Sequence, residues 1–195
     1  MRIVIDGNIG SGKSTQIQLL KDIGFNTKKE PIEEWPLKQF YEDQSRWAFL
    51  LQMKILETYS NSPDNCVYER CMQSSKHIFW WHLLRSKVVT PAEDRVYDDW
   101  YRKVAWTPDV HIYLRSNPLN CFRRIQTREQ IGDNAVSLEY IMNIHDYYEL
   151  HTYVTKQNII DVEDKTPEEI HKEILSVLKL ENAMHLSDHY RSQVS

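Results

Sequence analysis

The sequence predicts an α/β fold, a parallel sheet with helices on both faces, from three observations. Short apolar runs such as "RIVID" (2–6) alternate with stretches whose apolar residues recur at helical spacing. Strands that alternate with helices in this way form parallel sheets. A glycine-bearing turn follows the first run, and 195 residues are enough for one domain with a hydrophobic core. We therefore expect a single domain over residues 1–195.

Each predicted element has a local signal. Ile17, Leu20 and Ile23 fall at helical spacing, and Gly24 is placed to end that helix. Thr90-Pro91-Ala92-Glu93 and Thr166-Pro167-Glu168-Glu169 are typical helix starts. The predicted strands cover residues 2–6, 25–29, 65–70, 109–115 and 158–162. The predicted helices cover residues 13–23, 36–60 with a break near Asp43, 72–85, a stretch from 91, a stretch opened by 116–118, about 137–154, and a last stretch from 167. A polar tail over about 181–195 should be loosely held.

Composition and charge argue against several classes of protein. The net charge of -4 and the pI of about 6.1 give no indication of a nucleic-acid partner. No apolar run is long enough to cross a membrane, and Met1 leads directly into the first strand without a signal-peptide pattern. Cys66, Cys71 and Cys121 lack metal-ligand spacing, which favours reduced thiols. We expect a cytoplasmic protein with neither a nucleic-acid nor a membrane partner.

The segment "GNIGSGKST" (7–15) fits the phosphate-loop pattern G-x-x-x-x-G-K-[ST], and it follows a strand and opens a helix. Backbone N–H groups of such a loop turn toward phosphate oxygens, and the helix N-terminus adds favourable partial charge. Lys13 can reach the β and γ phosphates, and the Ser14 hydroxyl can ligate Mg²⁺. The predicted nucleotide-binding residues are Gly7, Asn8, Ile9, Gly10, Ser11, Gly12, Lys13, Ser14 and Thr15.

A phosphate loop alone fits GTPases, motor ATPases and small-molecule kinases, so other segments must distinguish them. The third strand, "NCVYER", ends in Glu69 and Arg70 rather than in an aspartate, and no guanine-reading N-K-x-D occurs. In "KKEPIEEWP" (28–36), Glu30 stands before a proline, which favours extended backbone and a strand end. Ligands bind beyond the carboxyl ends of parallel strands. Glu30 should therefore lie at the ligand edge, where a carboxylate can act as a general base.

"GNIGSGKST", "EPIEEW", the "ER" that ends the third strand and "YLR" followed by an arginine-bearing stretch closely resemble the deoxynucleoside kinase family. That family includes deoxycytidine kinase, deoxyguanosine kinase and the mitochondrial thymidine kinase. The likeness runs from about residue 2 to residue 162. It implies a phosphate-loop kinase fold with a five-stranded parallel sheet, an arginine-bearing lid over about 117–134, ATP with Mg²⁺ as phosphoryl donor, and a deoxynucleoside as acceptor. It also implies a homodimer formed through helices near 45–60 and 72–86, with Trp80 and Trp81 as candidate contacts.

The resemblance assigns roles at the transfer site. Glu30 matches the base that accepts the proton of the 5′-hydroxyl, and Arg70 matches the arginine that holds both groups. Glu69 matches the carboxylate that helps to position Mg²⁺. Arg124 and Arg128 match lid arginines. Relatives often carry more arginines in this stretch, where Gln126 and Gln130 stand here, and Arg128 is our first choice for the phosphate contact.

The resemblance also assigns the nucleoside site. Gln52 lies in a mostly apolar helical stretch, and a buried amide without partners costs about 1–3 kcal/mol; it matches the glutamine that reads the base edge. Trp35 lines the base site, Phe79 stacks on the base, and Tyr41 and Asp133 hold the 3′-hydroxyl. Asp133 is shorter than the glutamate common in relatives. The residues that tune the pocket's width are Ile55, Tyr59 and Ser75, and they predict a pyrimidine preference, with thymidine and deoxycytidine ahead of purines.

Two alternatives stay open at this point. A thymidylate-type kinase would act on a nucleoside monophosphate, but it would need added positive charge near the acceptor, where "EPIEEW" supplies acid. A catalytically silent member of the fold would serve as a structural subunit. Such a protein would have no physical need for Lys13, Glu30 and Arg70 together.

Overall fold

The computed structural model describes residues 1–128, 132–155 and 157–193. Within these ranges five parallel strands form one sheet in the order β2-β3-β1-β4-β5, which confirms the predicted sheet. Ile5 of the central strand pairs with Glu69 on one side and with Ile112 on the other, so the strands end at a common edge. The strands are β1 (Arg2–Gly7), β2 (Thr27–Lys28), β3 (Cys66–Glu69), β4 (Val110–Arg115) and β5 (Asn158–Asp161).

Helices fill the connections between the strands. Two short 3₁₀ turns lie between regular elements, at Ile32–Glu34 and at Asp133–Ala135. A π-helical segment at Ser75–Trp80 separates two α-helices. The α-helices are α1 (Lys13–Asp22), α2 (Leu37–Glu42), α3 (Gln44–Ser60), α4 (Met72–Ser74), α5 (Trp81–Arg85), α6 (Pro91–Val104), α7 (Pro118–Arg128), α8 (Leu138–Thr155) and α9 (Pro167–Gln193). None of the helices in the described ranges is both long and apolar enough to cross a membrane.

The two faces of the sheet are covered by separate hydrophobic clusters, as the alternation of strands and helices predicts. On one face, Ile17 of α1 and Ile174 of α9 pack with Ile5 of β1. On the other face, Leu56 of α3 and Trp80 pack with Tyr68 of β3 and its neighbours. The sheet therefore stands between two helical layers, and its carboxyl edge stays open for a ligand.

Helix starts follow the predicted caps. The side chain of Thr90 accepts a hydrogen bond from the backbone N–H of Glu93, and the carboxylate of Glu93 accepts one from the backbone N–H of Thr90. Asp43 divides α2 from α3 and accepts a hydrogen bond from the backbone N–H of Arg46. These local signals located the boundaries because each one satisfies backbone donors that a helix leaves free.

Three segments differ from the prediction. The second strand spans only Thr27–Lys28, the two residues that pair with Val67 and Tyr68 of β3. The helix predicted over 72–85 contains the π-helical turn at Ser75–Trp80. The last helix continues to Gln193 instead of stopping near residue 181, and the sequence there has neither proline nor glycine to end it. Residues 129–131 of the predicted lid lie outside the described residues, as do 194 and 195 of the tail, and the lid's role stays a prediction.

Candidate active site

A cavity of about 400 Å³ opens at the carboxyl edge of the sheet, beside the phosphate loop. It brings together most of the side chains that the sequence predicted to act on a ligand. Within the described ranges its wall does not include Tyr59, Ser75 or Arg124. Predicted residues that line the cavity are Ile9, Lys13, Ser14, Glu30, Trp35, Tyr41, Gln52, Ile55, Glu69, Arg70, Phe79, Arg128 and Asp133.

The phosphate loop has the backbone that its glycines allow. Gly10 and Gly12 adopt φ values of 81° and 95°, which side chains with a Cβ rarely adopt. A Cβ at Gly10 would also lie 2.6 Å from the carbonyl oxygen of Cys121. Lys13 folds back over the loop and donates to the carbonyl of Asn8 at 2.7 Å. Burial, with the charge of Arg70 adding to it, lowers the pKa of Lys13 to about 8.

The remaining loop residues have different surroundings. Asn8 is buried and ties the loop to α8 by donating to the carbonyl of Ile141 at 2.8 Å. Ser11 is buried, and its backbone N–H donates to the carbonyl of Asn8 at 3.2 Å. Gly7 adopts a φ of 147° at the end of β1, and Thr15 is exposed at the start of α1.

Ser14 and Glu69 lie together, as their predicted roles in metal binding require. The Ser14 hydroxyl donates to Oε1 of Glu69 at 2.7 Å, and Glu69 is otherwise buried at the end of β3. A hydroxyl and a carboxylate are oxygen ligands of the kind that Mg²⁺ prefers. The donor set of this pair therefore fits Mg²⁺ beside the loop.

Glu30 and Arg70 form the central ion pair of the cavity. Nη1 of Arg70 donates to Oε2 of Glu30 at 2.5 Å, and both side chains are nearly buried. Burial raises the pKa of Glu30, and Arg70 opposes this rise only in part. Burial would lower the pKa of Arg70, but the charge of Glu30 raises it well above its usual value. At neutral pH the arginine is charged and faces a carboxylate that can take up a proton.

The end of the cavity around Gln52 and Trp35 is neutral. Gln52 is 3% exposed, and its Oε1 accepts a hydrogen bond from the Ser75 hydroxyl at 2.7 Å. Ser75 therefore lies behind Gln52 rather than in the wall. Tyr59 lies behind the wall too, and its hydroxyl donates to the carbonyl of Glu69 at 2.9 Å. Nε1 of Trp35 donates to Oγ1 of Thr58 at 3.1 Å, which fixes the plane of the indole.

Elsewhere on the cavity wall, Arg128 and Asp133 form a bidentate ion pair. Nε and Nη2 of Arg128 donate to the two carboxylate oxygens of Asp133 at 2.9 and 2.8 Å. Tyr41 lies against Gly132, where an added Cβ would fall 2.1 Å from its ring. Arg124 lies elsewhere, in an open groove of about 510 Å³, and donates to the carbonyl of Gly10 and to the Ser116 hydroxyl, both at 3.3 Å.

Sequence reasoning missed several residues that build this site. Phe40, Leu51, Leu83, Val136 and Tyr140 also line the cavity. Their apolar character fits a helix core equally well, so no local signal distinguishes a wall residue from a core residue. Asp6 and Tyr148, which contact Arg70 from behind, were missed as well. An acid inside the buried strand "RIVID" was the one signal that could have pointed to Asp6.

A phosphate loop beside a cavity that holds a carboxylate–arginine pair defines a phosphate-loop phosphotransferase. The deoxynucleoside kinase family model matches residues 3–182. The chain therefore belongs to the deoxynucleoside kinase family, as its motifs predicted. It is a kinase that uses ATP to phosphorylate deoxynucleosides.

Known proteins of this kind are similar over most of the chain. The putative kinase protein 029R of Invertebrate iridescent virus 3 is 34% identical over 155 residues, which cover 75% of this chain and 80% of that protein. The probable deoxycytidine kinase of fowlpox virus is 30% identical and covers 76% and 70%. A solved structure, deoxyadenosine kinase from M. mycoides with bound dCTP, superposes with a TM-score of 0.81 at 26% identity and covers 92% of this chain and 99% of that one.

Proposed function

We propose that this kinase transfers the γ-phosphate of ATP to the 5′-hydroxyl of a deoxyribonucleoside, with Glu30 as the general base. The observation that carries the proposal is the Glu30–Arg70 pair, whose Nη1 to Oε2 distance is 2.5 Å and which lines the same cavity as Lys13. The 5′ oxygen attacks the γ phosphorus, its proton goes to Glu30, and the bond to the β–γ bridging oxygen breaks to leave ADP. The charge that builds on the phosphoryl oxygens needs fixed cations nearby.

Among the described residues, four cations line the cavity: Lys13, Lys29, Arg70 and Arg128. Lys29 donates to Oε1 of Gln18. We assign the developing charge to the other three. Lys13 would exchange the carbonyl of Asn8 for phosphate oxygens. Arg128 would have to leave Asp133 to reach them, since both of its bonds now go to that acid. Arg124, beside Gly10, borders the open groove in which the rest of ATP can lie.

Ser14 and Glu69 would hold Mg²⁺, directly or through water. Mg²⁺ at this position would neutralise part of the charge on the β and γ phosphates. The 2.7 Å bond between the two side chains keeps both oxygens at the mouth of the loop.

A pyrimidine preference, with thymidine and deoxycytidine as the best acceptors, has support from the neutral end of the cavity around Gln52 and Trp35, the proposed base end. Gln52 offers a donor and an acceptor to a base edge. The Ser75 hydroxyl behind it can donate or accept, so the amide can suit thymine or cytosine. Ile55 borders the cavity and Tyr59 supports it from behind, which limits its width. Phe79 and Trp35 supply flat apolar walls, and Tyr41 and Asp133, which also line the cavity, would hold the 3′-hydroxyl.

A homodimer is also proposed, through the helices near 45–60 and 72–86 that the resemblance indicates. Leu50 on α3 is 50% exposed, and Trp81 on α5 is 43% exposed. Large apolar side chains exposed on these helices are available for an interaction surface. Trp80, the other tryptophan considered for this contact, is 1% exposed and stacks on Tyr97 in the core. A cytoplasmic location stays a prediction from the sequence.

The test measures phosphorylation of the four deoxynucleosides and of thymidine monophosphate by the wild type and by Glu30→Gln. We expect Glu30→Gln to lower turnover by about 10²–10⁴, the scale of general-base catalysis. Glu34→Gln is the matched control, since Glu34 is exposed outside the cavity wall. Wild-type turnover by Glu30→Gln would overturn the role of the base. Equal or faster turnover of deoxyadenosine or deoxyguanosine would overturn the pyrimidine preference, and a better reaction with the monophosphate would favour a thymidylate-type kinase.

A further inference from the structure

We infer that Tyr148 and Asp6 are positioning residues for the transfer reaction: they hold the guanidinium of Arg70 from behind and so fix the place of Glu30. This role rests on the function proposed above for Glu30 and Arg70. The motifs that identified the family gave no role to either residue. Tyr148 lies on α8 and Asp6 lies on β1, 142 positions apart along the chain.

Arg70 has an unusual backbone for a residue at the end of a strand. Its φ is +60°, in the left-handed region that residues with a Cβ seldom adopt. Its backbone N–H still donates to the carbonyl of Ile5 at 3.0 Å, so the chain turns abruptly after pairing with β1. Strained backbone of this kind persists where the surroundings fix it, and it often occurs at functional sites.

All three guanidinium nitrogens of Arg70 have protein partners. Nη1 donates to Glu30, Nη2 donates to the carbonyl of Gly7 at 3.2 Å, and Nε donates to the Tyr148 hydroxyl at 3.3 Å. One face of the guanidinium lies 4.9 Å from the ring centre of Phe79. The Tyr148 contact is made at Nε, the nitrogen that joins the guanidinium to the rest of the side chain, so it restricts rotation of the plane that carries Nη1 to the carboxylate.

The hydroxyl of Tyr148 can have only one orientation here. It lies 2.6 Å from Oδ1 of Asp6 and 3.3 Å from Nε of Arg70. An ionised carboxylate only accepts and a guanidinium only donates. The hydroxyl proton must therefore point to Asp6, and an oxygen lone pair must face Arg70. Asp6 thus fixes the acceptor that Arg70 uses.

Asp6 is itself held firmly, at 1% exposure. Burial alone would raise its pKa, but the hydrogen bond and charge of His111, with Arg70 and Ser74, keep that pKa well below the usual range. The carboxylate is therefore ionised at neutral pH. Its donors among the described residues are the backbone N–H of Gly7, the hydroxyls of Tyr148 and Ser74, and Nε2 of His111.

A carboxylate, a thiol and an imidazole meet here, because ligand atoms of Asp6, Cys71 and His111 lie within 4.8 Å of one another. A bound cation is not needed to explain the group. Both oxygens of Asp6 already accept hydrogen bonds, and one of their donors, the N–H of Gly7, belongs to the start of the phosphate loop. The cluster therefore joins the loop, Arg70 and α8, which suits a positioning role.

Tyr148→Phe is the test, because it removes only the hydroxyl and keeps the buried ring. We expect kcat to fall by about 10- to 100-fold, the scale of one hydrogen bond to a charged group. KM for the nucleoside should change by less than about twofold, since Tyr148 is not in the cavity wall. The matched control is Tyr113→Phe. Tyr113 stacks on Tyr148 with ring centres 5.1 Å apart, and its hydroxyl donates to Glu149 rather than to this cluster.

A second measurement separates positioning from general packing. In an Arg70→Lys background the side chain has no Nε, so adding Tyr148→Phe should change kcat by less than about twofold. Asp6→Asn should also lower kcat. The double variant Asp6→Asn with Tyr148→Phe should lose less kcat than the product of the two single losses. The inference would be overturned if Tyr148→Phe and Tyr113→Phe lowered kcat equally. It would also be overturned if Tyr148→Phe lowered kcat as much in the Arg70→Lys background as in the wild type. Wild-type turnover by Glu30→Gln would instead overturn the proposed function itself.

Discussion

The two ends of the cavity differ in charge. At the end proposed for phosphoryl transfer, called the transfer end below, Lys13, Glu30, Glu69 and Arg70 are charged groups, and each already has a partner within the protein. At the base end, Gln52 and Trp35 are neutral and bond to the hydroxyls of Ser75 and Thr58. Both ends are largely buried, so the difference lies in charge and not in access to solvent.

This difference has a physical consequence for stability and for binding. A buried charge must be paired, and removing one partner leaves the other uncompensated. Breaking one of these pairs should therefore destabilise the ligand-free protein. Substrates must exchange partners there, as Lys13 must leave the carbonyl of Asn8. A neutral amide loses far less when a partner is missing. Substitutions at the base end should change selectivity and leave the fold intact.

The comparison is tested most strongly by Arg70→Met. We expect it to lower the free energy of unfolding by about 3–5 kcal/mol, because Glu30 and Asp6 lose their buried cation. Chemical denaturation measures this change. Adding Glu30→Gln to the same chain should restore part of the stability, since a neutral amide tolerates burial better. Arg102→Met is the control: its exposed ion pair with Asp98 should contribute at most about 1 kcal/mol. Equal destabilisation by the two methionine variants would contradict the contrast.

Gln52→Leu tests the neutral end. We expect kcat/KM for thymidine to fall about 30-fold, because two hydrogen bonds of about 1 kcal/mol each are lost. Thermal unfolding should change little, since the buried Ser75 hydroxyl loses Gln52 as a partner but keeps the hydroxyl of Tyr97 at 3.4 Å. Gln44→Leu, at the exposed start of the same helix, should leave kcat/KM unchanged. If the Gln52→Leu and Arg70→Met proteins had similar melting temperatures, the distinction between the two ends would be wrong.

The pH dependence of kcat/KM is expected to show the smallest effect, and it tests the protonation state of Glu30. Burial raises the pKa of Glu30 above its ordinary value of 4.5, although Arg70 opposes the rise. A base acts when it is deprotonated, so activity should be complete above the raised pKa and fall about tenfold for each pH unit below it. The residual activity of Glu30→Gln should lack this fall. A wild-type rate that stays constant down to pH 4.5 would contradict the prediction.

Most of the fold followed from the sequence because its signals are local. The Thr90 and Thr166 caps, the break at Asp43 and the apolar strands are each readable within a few residues. The two-residue length of β2 was not readable, since it depends on how far β3 runs beside it. The π-helical turn at Ser75–Trp80 was also missed, because its residues suit an ordinary helix equally well.

The sequence by itself determined the phosphate loop, the carboxylate at the end of β2 and the family, since these depend on spacing along the chain. Only the tertiary structure decided which side chains pair: Ser14 with Glu69, Arg128 with Asp133, and Arg70 with Glu30 and Tyr148. The reason is geometric. Glu30 lies 40 positions from Arg70 along the chain and Tyr148 lies 78 positions away, yet the sheet and α8 bring both side chains to it. The left-handed φ of Arg70 turns its own side chain toward them.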